Sequence, residues 1–162
     1  MWDYAARSLA YSIPKETGAM ARKSKKKSIL IIEDDLDIQY FISRVLELEG
    51  YRVLSAINGR VGLDILRENP VSLVLLDLRL PGPDGWSILQ EIRGNPELAH
   101  LPVVVLTAIA ESVQRRKTLR MGANKYLIKP LSAHSLSRTI ADVLRQENDI
   151  GAAASNITTV NN

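Results

Sequence analysis

Polar side chains with chemical potential follow the apolar runs of this sequence, each at the point where a run ends. Glu33, Asp34 and Asp35 follow the first run, Asp77 the third, Thr107 the fourth and Lys129 the fifth. Any one of these residues could simply cap a neighbouring helix, and for a single residue that explanation is as good as a functional one. A coincidence of this kind at four of the five runs is much harder to explain.

Phosphoryl transfer is the chemistry that such a set would carry. Carboxylates of Glu33, Asp34 and Asp77 would repel one another, and the ammonium of Lys129 offsets only one charge of three. Oxygen ligands without histidine or cysteine favour Mg²⁺ or Mn²⁺. Asp77 would then be the nucleophile that forms an acyl phosphate, with Thr107 donating a hydrogen bond to a phosphoryl oxygen and Lys129 neutralising another.

The elements that must position these groups are strands and helices in alternation. The apolar runs span 29–32, 51–56, 73–76, 103–106 and 126–128. Four of them are uniformly apolar, which is typical of parallel strands covered on both faces, and 51–56 alternates as an edge strand would. Between and after them, spacings of three and four predict helices around 38–46, 58–68, 84–93, 111–120 and 136–144.

Five strand–helix units in this order predict a doubly wound α/β sandwich with right-handed crossovers. In an open parallel sheet, ligands bind beyond the carboxyl ends of the strands. We therefore expect the polar groups at the strand ends to meet in one cleft.

Composition and charge narrow the class of protein. The 162 residues, 46% of them apolar, suit one ordinary domain with tails, and no apolar stretch is long enough to span a membrane. The absence of cysteine excludes disulfides and thiolate metal sites, and two scattered histidines do not suggest a zinc site. Residues 1–28 carry seven basic and two acidic side chains, so the net charge of +3 leaves −2 on residues 29–162.

Residues 28–146 resemble the receiver domain of two-component response regulators. The motifs that carry the resemblance are ILIIEDD, LVLLDLRLPGPDGW, VVVLTA and GANKYLIKP, in that order. The resemblance implies a flavodoxin-like α/β fold, in which a doubly wound, five-stranded parallel sheet of order 2-1-3-4-5 is accompanied by five helices.

The resemblance also implies a role for each matched residue. Asp77 is similar to the phosphoacceptor, and Glu33 and Asp34 to the acidic pair that binds Mg²⁺ or Mn²⁺, with Asp35 outside the metal shell. The backbone carbonyl of Arg79 would be a further metal ligand. Three other positions complete the match: Thr107 and Tyr126 resemble the switch pair, and Lys129 the phosphate-binding lysine, whose bond to Pro130 is typically cis in this family.

A protein of this kind is a phosphorylated signalling protein rather than an enzyme with a separate substrate. The resemblance implies Mg²⁺-dependent self-phosphorylation from small donors, autodephosphorylation, and transfer from a sensor histidine kinase or a histidine phosphotransfer protein. Phosphorylation would change the binding of a downstream protein at the face of the fourth helix, fifth strand and fifth helix. We expect a cytoplasmic protein with no membrane span and no specific nucleic-acid ligand.

The flanking segments bear on how the signal leaves the domain. Residues 1–27 form a basic extension that we expect to be disordered, and 147–162 a flexible tail too short for an output domain, so a stand-alone regulator is predicted. The functional alternative for Lys23 to Lys27 is contact with anionic lipid or nucleic acid.

Two other classes of function compete with this interpretation. An aspartate-nucleophile phosphohydrolase on a related fold would need a second aspartate two positions after the nucleophile, where this chain has Arg79. A DNA-binding regulator acting through the basic run would bind without sequence specificity and with steep salt dependence. Turnover of a phosphomonoester would favour the phosphohydrolase, whereas stoichiometric phosphorylation would favour the receiver.

Overall fold

The computed structural model describes residues 26–108 and 112–157. Its strands are β1 (Ser28–Ile32), β2 (Arg52–Ala56), β3 (Leu73–Asp77), β4 (Val103–Thr107) and β5 (Lys125–Ile128). Its helices are α1 (Leu36–Leu48), α2 (Gly59–Glu68), α3 (Gly85–Gly94), α4 (Ser112–Arg120) and α5 (Ala133–Ile157). Each strand is followed by a helix, as the hydrophobic pattern predicts.

All strand pairs are parallel, and the sheet order is β2-β1-β3-β4-β5. The predicted fold class and strand order are thus confirmed, and β2 lies at the edge that its alternating sequence indicates. Every residue of β1, β3 and β4 is buried, because helices cover the sheet on both faces.

Alternation along the strands divides the core into two layers. Leu30, Leu76 and Val105 belong to the layer under α2 and α3, where Leu63 and Ile88 pack. Their neighbours along the strands point the other way, into a layer that contains α1 and α5. The members of this second layer from the strands include Ile31, Leu75 and Val104. The uniformly apolar runs are therefore needed to fill both layers at once.

Short polar side chains fix where the helices begin. The Asp35 carboxylate accepts hydrogen bonds from the backbone N–H groups of Asp37 and Ile38, and the Asp84 carboxylate accepts one from Ser87. Gly50 ends the first helical segment with φ +88°, a left-handed conformation that glycine adopts without steric cost. The Asp35 and Asp84 caps fix the path of the chain from β1 into α1 and the start of α3, and both places border the predicted cleft.

The last helix differs from the sequence-based expectation. We predicted a flexible tail from 147, but α5 continues as helix to Ile157. The composition of this stretch suggested a loose tail, yet Glu147 and the alanines at 152–154 are strong helix formers, and the single Gly151 costs only about 1 kcal/mol relative to alanine.

Most of the predicted N-terminal extension lies outside the residues that the structure describes. Residues 1–25, which hold most of the predicted basic extension, and residues 158–162 lie outside the described residues. Lys27, the last residue of the basic run, donates a hydrogen bond to Oδ1 of Asn148 at 3.2 Å. Within the described part of the chain, no helix combines the length and the apolar character needed to cross a membrane.

Candidate functional site

Two acidic residues extend β1 beyond its last apolar residue. Glu33 is fully buried, and its Oε1 accepts a hydrogen bond from the backbone N–H of Asp35 at 3.2 Å. Asp34 is exposed, and the Asp35 side chain turns to cap α1. Of the three consecutive acids, Glu33 and Asp34 therefore lie at the cleft, and the side chain of Asp35 caps the helix.

Asp77 ends β3, and both of its carboxylate oxygens have partners. Oδ1 accepts a hydrogen bond from the backbone N–H of Arg79 at 2.9 Å, and Oδ2 lies 2.7 Å from Nζ of Lys129. The residue is only 4% exposed. The carboxylate is thus held in one orientation at the edge of the sheet, beside the exposed Asp34 and Arg79.

Lys129 reaches the cleft from the loop after β5. Its backbone N–H donates to the carbonyl of Thr107 at 2.8 Å, and its bond to Pro130 is cis, as the resemblance implies. Nζ makes ion pairs of 2.7 Å with both Glu33 Oε2 and Asp77 Oδ2. One partly buried ammonium therefore bridges two buried carboxylates.

Burial and neighbouring charge shift the pKa values of two of these groups. Desolvation raises the pKa of Glu33 above its ordinary value, and the negative charge of Asp77 adds to the rise against the opposing effect of Lys129. Burial lowers the pKa of Lys129, but hydrogen bonds and charge from Asp77 and Glu33 outweigh it, so that pKa is raised. Lys129 is consequently cationic at neutral pH, and the site still holds an excess of acidic groups.

The donor set fits a hard divalent cation. Carboxylate oxygens of Glu33, Asp34 and Asp77 all lie within 4.8 Å of one another. Glu33 Oε2 is buried, and its partner among the described residues is the Lys129 ammonium at 2.7 Å, so this oxygen retains acceptor capacity for a further ligand. Oxygen-only ligands at this spacing, with Asp34 open to solvent, suit Mg²⁺ with part of its water shell retained.

The two predicted switch residues lie on neighbouring strands. Thr107 ends β4 and is fully buried, and Tyr126 lies on β5 and is partly buried. Thr107 pairs with Ile128, and Val105 pairs with Tyr126, so the two side chains share the sheet face that contains Val105. They lie on the same face of the sheet but two register positions apart.

Sequence reasoning missed a positioning residue and a contact between helices. Gln39 of α1 donates from Nε2 to the carbonyls of Glu33 at 3.1 Å and Ala56 at 3.2 Å, which fixes the end of β1 against β2. Trp86 of α3 donates from Nε1 to Oγ1 of Thr118 in α4 at 3.2 Å. A glutamine in a helix carries no sequence signal of such a role, and a tryptophan does not reveal which helix it will contact.

Comparison with known proteins identifies similar sequences and folds. The profile of the family described as "Response regulator receiver domain" matches residues 29–141. The "Probable transcriptional regulator ycf27" of Porphyra purpurea is 35% identical over 128 residues, which cover 79% of this chain and 51% of that protein. The chain therefore spans about half the length of this curated relative.

Two solved structures share the fold over most of the described residues. A CheY-like response regulator receiver domain protein of Methanospirillum hungatei has a TM-score of 0.72 and 27% identity, covering 77% of this chain and 98% of that one. A response regulator receiver domain protein of Clostridium thermocellum has a TM-score of 0.70 and 31% identity, covering 76% and 98% of the two chains. Both likenesses span nearly the whole of the compared chains, not an isolated motif.

Proposed function

This chain belongs to the response regulator receiver domain family of two-component signalling, and on that premise we propose that Asp77 accepts a phosphoryl group from a histidine kinase or a histidine phosphotransfer protein. One observation carries the proposal. The Asp77 carboxylate lies 2.7 Å from the partly buried ammonium of Lys129 and within 4.8 Å of two further carboxylates, at the carboxyl edge of a parallel sheet. A carboxylate placed beside an ammonium and two further carboxylates is suited to act as the nucleophile in phosphoryl transfer.

Asp77, Arg79 and Lys129 have separate roles in the phosphoryl transfer. An Asp77 carboxylate oxygen attacks phosphorus as the bond from phosphorus to the donor imidazole nitrogen breaks. The donor ring, which carries a proton on its other nitrogen, takes the bonding electron pair and leaves as neutral imidazole. The Arg79 N–H holds Oδ1, so the carboxylate does not need to reorient before attack. The Lys129 ammonium is already in place beside Oδ2 and stabilises charge on the phosphoryl oxygens.

A divalent cation completes the charge balance in the proposal. Asp34 and Asp77 would bind Mg²⁺ or Mn²⁺ directly, Glu33 would act through water, and the Arg79 backbone carbonyl would be a further ligand. When bound, the cation neutralises phosphoryl oxygens that Lys129 alone cannot. The close approach of the three acidic side chains and the buried acceptor on Glu33 support this assignment.

Phosphorylation would switch the protein through Thr107 and Tyr126. A phosphoryl group on Asp77 offers new acceptor oxygens to the Thr107 hydroxyl, which ends the neighbouring strand. Movement of Thr107 biases the position of Tyr126 on the same sheet face and thereby alters the surface of α4, β5 and α5. Coupling of about 1 to 3 kcal/mol would change partner affinity roughly 5- to 150-fold.

An apolar groove beside the site suits the protein that donates the phosphoryl group. The groove has a volume of about 490 Å³ and is lined by four apolar residues together with Asp37 and Lys129. The apolar residues are Ile38, Phe41, Pro130 and Leu131. Since Lys129 belongs both to this wall and to the Asp77 site, a donor seated here places its histidine next to the acceptor. Phe41→Ser should slow transfer from a phosphohistidine protein and leave uptake from acetyl phosphate unchanged.

The phosphoacceptor unit in this proposal is residues 28–146, acting as a signalling domain rather than as an enzyme on a separate substrate. Its output is a change in what it binds. The matched relatives are described as transcriptional regulators, so the prediction that no specific nucleic acid is involved has no support from the comparisons. The binding measurements with a phosphoryl mimic, described below, are therefore open to either a protein or a nucleic acid as the ligand of the switched surface.

The proposal is tested by intact mass after incubation with acetyl phosphate and Mg²⁺. We expect one phosphoryl group per chain, none with chelator, and none for Asp77→Asn, which preserves the shape of the side chain. Equal phosphorylation of Asp77→Asn would contradict the assignment. Steady turnover of a phosphomonoester, with no stable modification of the protein, would favour the phosphohydrolase instead.

The switch has its own test, which uses beryllofluoride as a mimic of the phosphoryl group. Partner affinity should rise on addition of the mimic to the wild type, and Thr107→Ala should lose most of that gain. A full gain in Thr107→Ala at saturating mimic would show that the hydroxyl does not drive the switch, although Asp77 would remain the acceptor.

A further inference from the structure

The two edges of the sheet differ in how they are protected from pairing with another strand. β5 begins with the exposed Lys125 and is followed within two residues by Pro130, and both residue types discourage a further strand at an edge. β2 lies at the other edge, and after Arg52 at its first position it holds neither a charged residue nor a proline. The edge of β2 is therefore open to a further strand.

The backbone of β2 offers hydrogen-bonding groups along this open edge. The N–H of Arg52 donates to the Lys27 carbonyl at 3.0 Å, and the Ala56 carbonyl accepts a hydrogen bond of 3.0 Å from the residue that follows β1. Because the groups that bond to one neighbour alternate along a parallel strand, the N–H and C=O groups of Val53 and Ser55 point away from β1. Within the described part of the chain no strand lies beside them, since β2 is the last strand of its sheet.

The pattern of these outward groups is self-complementary. When a second copy of β2 runs antiparallel with Leu54 opposite Leu54, Val53 of each copy lies opposite Ser55 of the other. Two residues opposed in this way exchange both of their backbone hydrogen bonds, so the outward groups of each copy are all satisfied by the other. A strand related by a two-fold axis at Leu54 thus completes the edge and leaves no outward group unpaired.

Apolar side chains border the open edge on the side of α2. Leu63 and Arg67 line a groove together with residues of α3, so this flank of α2 faces α3. Val61 falls on the opposite flank, where it is 40% exposed, and the partly buried Ile65 lies one turn further along. Leu54 points into the same layer of the core and is also only partly buried. An antiparallel copy would bury Leu54, Val61 and Ile65 against the same three residues of the other chain.

The other face of the open edge is bordered by α1. Gln39 of this helix donates to the Ala56 carbonyl at 3.2 Å, so the first turns of α1 lie beside the carboxyl end of β2. Leu36 and Tyr40 belong to these turns and are 66% and 68% exposed, and Ile57, which follows β2, is 54% exposed. They extend the apolar border around the carboxyl end of the edge, and exposed apolar patches of this kind mark interaction sites.

We propose that this protein forms a two-fold symmetric dimer in which the β2 strands of two copies pair antiparallel and join their five-stranded sheets. The occupant of the edge is a second copy because the register about Leu54 satisfies every outward backbone group and places apolar residues opposite apolar residues. Three strands separate β2 from β5, so this interface is distinct from the face of α4, β5 and α5. It does not involve Asp77, and its failure would not bear on the assignment of the phosphoacceptor.

The test combines sedimentation velocity with backbone amide exchange measured by NMR, both on the full chain. Sedimentation covers roughly 1 to 500 µM, and exchange is compared at about 50 and 500 µM, the range in which small interfaces associate. Ser55→Pro removes one outward N–H and keeps the bonds of β2 to β1, since proline is tolerated at an edge strand whose N–H points away. Val61→Glu places a charge on the apolar border and does not depend on accommodation of a proline. Val113→Glu is the matched control, because Val113 is a helical valine that is 63% exposed on α4.

We expect a reversible equilibrium between monomer and dimer with a Kd on the order of 50 µM, as suits a small interface. Ser55→Pro, which removes one N–H donor from each copy, and Val61→Glu should each weaken the dimer at least about tenfold, whereas Val113→Glu should stay within about twofold of wild type. In the wild type, exchange of the Val53 and Ser55 amides should slow at least about twofold at the higher concentration, in proportion to the dimer formed.

Each of three results would overturn the proposal. One is a monomer throughout the concentration range. Another is a dimer that Val113→Glu weakens as much as Val61→Glu does, which would reflect charge alone or an interface elsewhere. The third is protection of the Val53 and Ser55 amides that does not change with concentration, which would mean that another segment of the same chain covers the edge.

Discussion

Gly85 is the position at which a single added carbon should damage both the fold and the site. A Cβ at this residue would overlap the carbonyl oxygen of Asp77 and lie 2.6 Å from the Cα of Leu78. Both neighbours are backbone atoms, so neither can move aside by changing a rotamer. The Gly85 N–H also donates to the Leu78 carbonyl at 3.0 Å, which holds the start of α3 against the end of β3.

The size of the effect follows from this geometry. Ordinary contact of a Cβ begins near 3.4 Å, so Gly85→Ala requires the start of α3 to move away from the Cα of Leu78 by about 0.8 Å, and from the carbonyl oxygen of Asp77 by more than that. Overpacking typically costs 1–3 kcal/mol, and a clash with backbone places this case at about 3 kcal/mol. A loss of that size corresponds to a fall in Tm of roughly 10 °C. Because displacement of about 1 Å can slow a reaction about a hundredfold, phosphoryl uptake at Asp77 should fall more than stability alone explains.

The assay is chemical denaturation, with phosphoryl uptake from acetyl phosphate measured at a temperature where the variant is folded. Gly94→Ala is the matched control, since a Cβ there meets nothing within 4 Å and alanine at a helical position gains up to about 1 kcal/mol. A free energy of unfolding for Gly85→Ala within about 0.5 kcal/mol of wild type, together with normal uptake, would refute the reasoning.

Three further changes have defined outcomes. Glu33→Gln should raise the Tm of the metal-free protein, because burial raises the pKa of Glu33 and so disfavours its charged form. In the same thermal scan, the substitution should weaken the stabilisation that Mg²⁺ provides. An unchanged metal-free Tm would contradict this. Arg93→Ala should lower the free energy of unfolding by about 3 kcal/mol in urea denaturation, because the guanidinium is half-buried and donates to the carbonyls of Leu101 at 2.8 Å and Gly122 at 2.7 Å. A loss no larger than that for a typical exposed arginine would contradict this prediction. Asp84→Ala should cost about 1 kcal/mol through loss of the α3 cap. Since the hydrogen bond from Ser87 lowers the pKa of Asp84, this contribution is present above the ordinary pKa of 3.8 and lost as pH falls below it, so wild type and Asp84→Ala should converge in stability in acid.

The carboxyl ends of parallel strands share one edge of a sheet, and this made the site predictable from sequence. Glu33, Asp77 and Lys129 each directly follow an apolar run, and their convergence needs only that the runs be parallel neighbours. The strand order itself came from resemblance to a family, since periodicity does not say which strands are adjacent. Their chemical roles remain proposals, because geometry alone does not identify a reaction.

Other features depend on contacts that no local pattern records. Arg93 was indistinguishable from an exposed helical arginine, yet the path of two loops brings backbone carbonyls around its guanidinium. The length of α5 was underestimated because composition was weighed above helix propensity in the segment after 146. The ion pair between Glu33 and Lys129 required the exact rotamers of two side chains from distant parts of the chain.

The most direct test of the central claim is chemical identification of the phosphorylated atom. Protein phosphorylated from a histidine kinase or from acetyl phosphate would be treated with borohydride, which reduces an aspartyl phosphate to homoserine, and the peptides would be analysed by mass spectrometry. We predict homoserine at position 77 alone, in an amount equal to the phosphoryl group incorporated, and its loss when Lys129→Ala or chelation blocks uptake. Homoserine at Asp34 or another carboxylate, or a phosphoryl group that borohydride does not convert, would contradict the assignment of Asp77 as the acceptor.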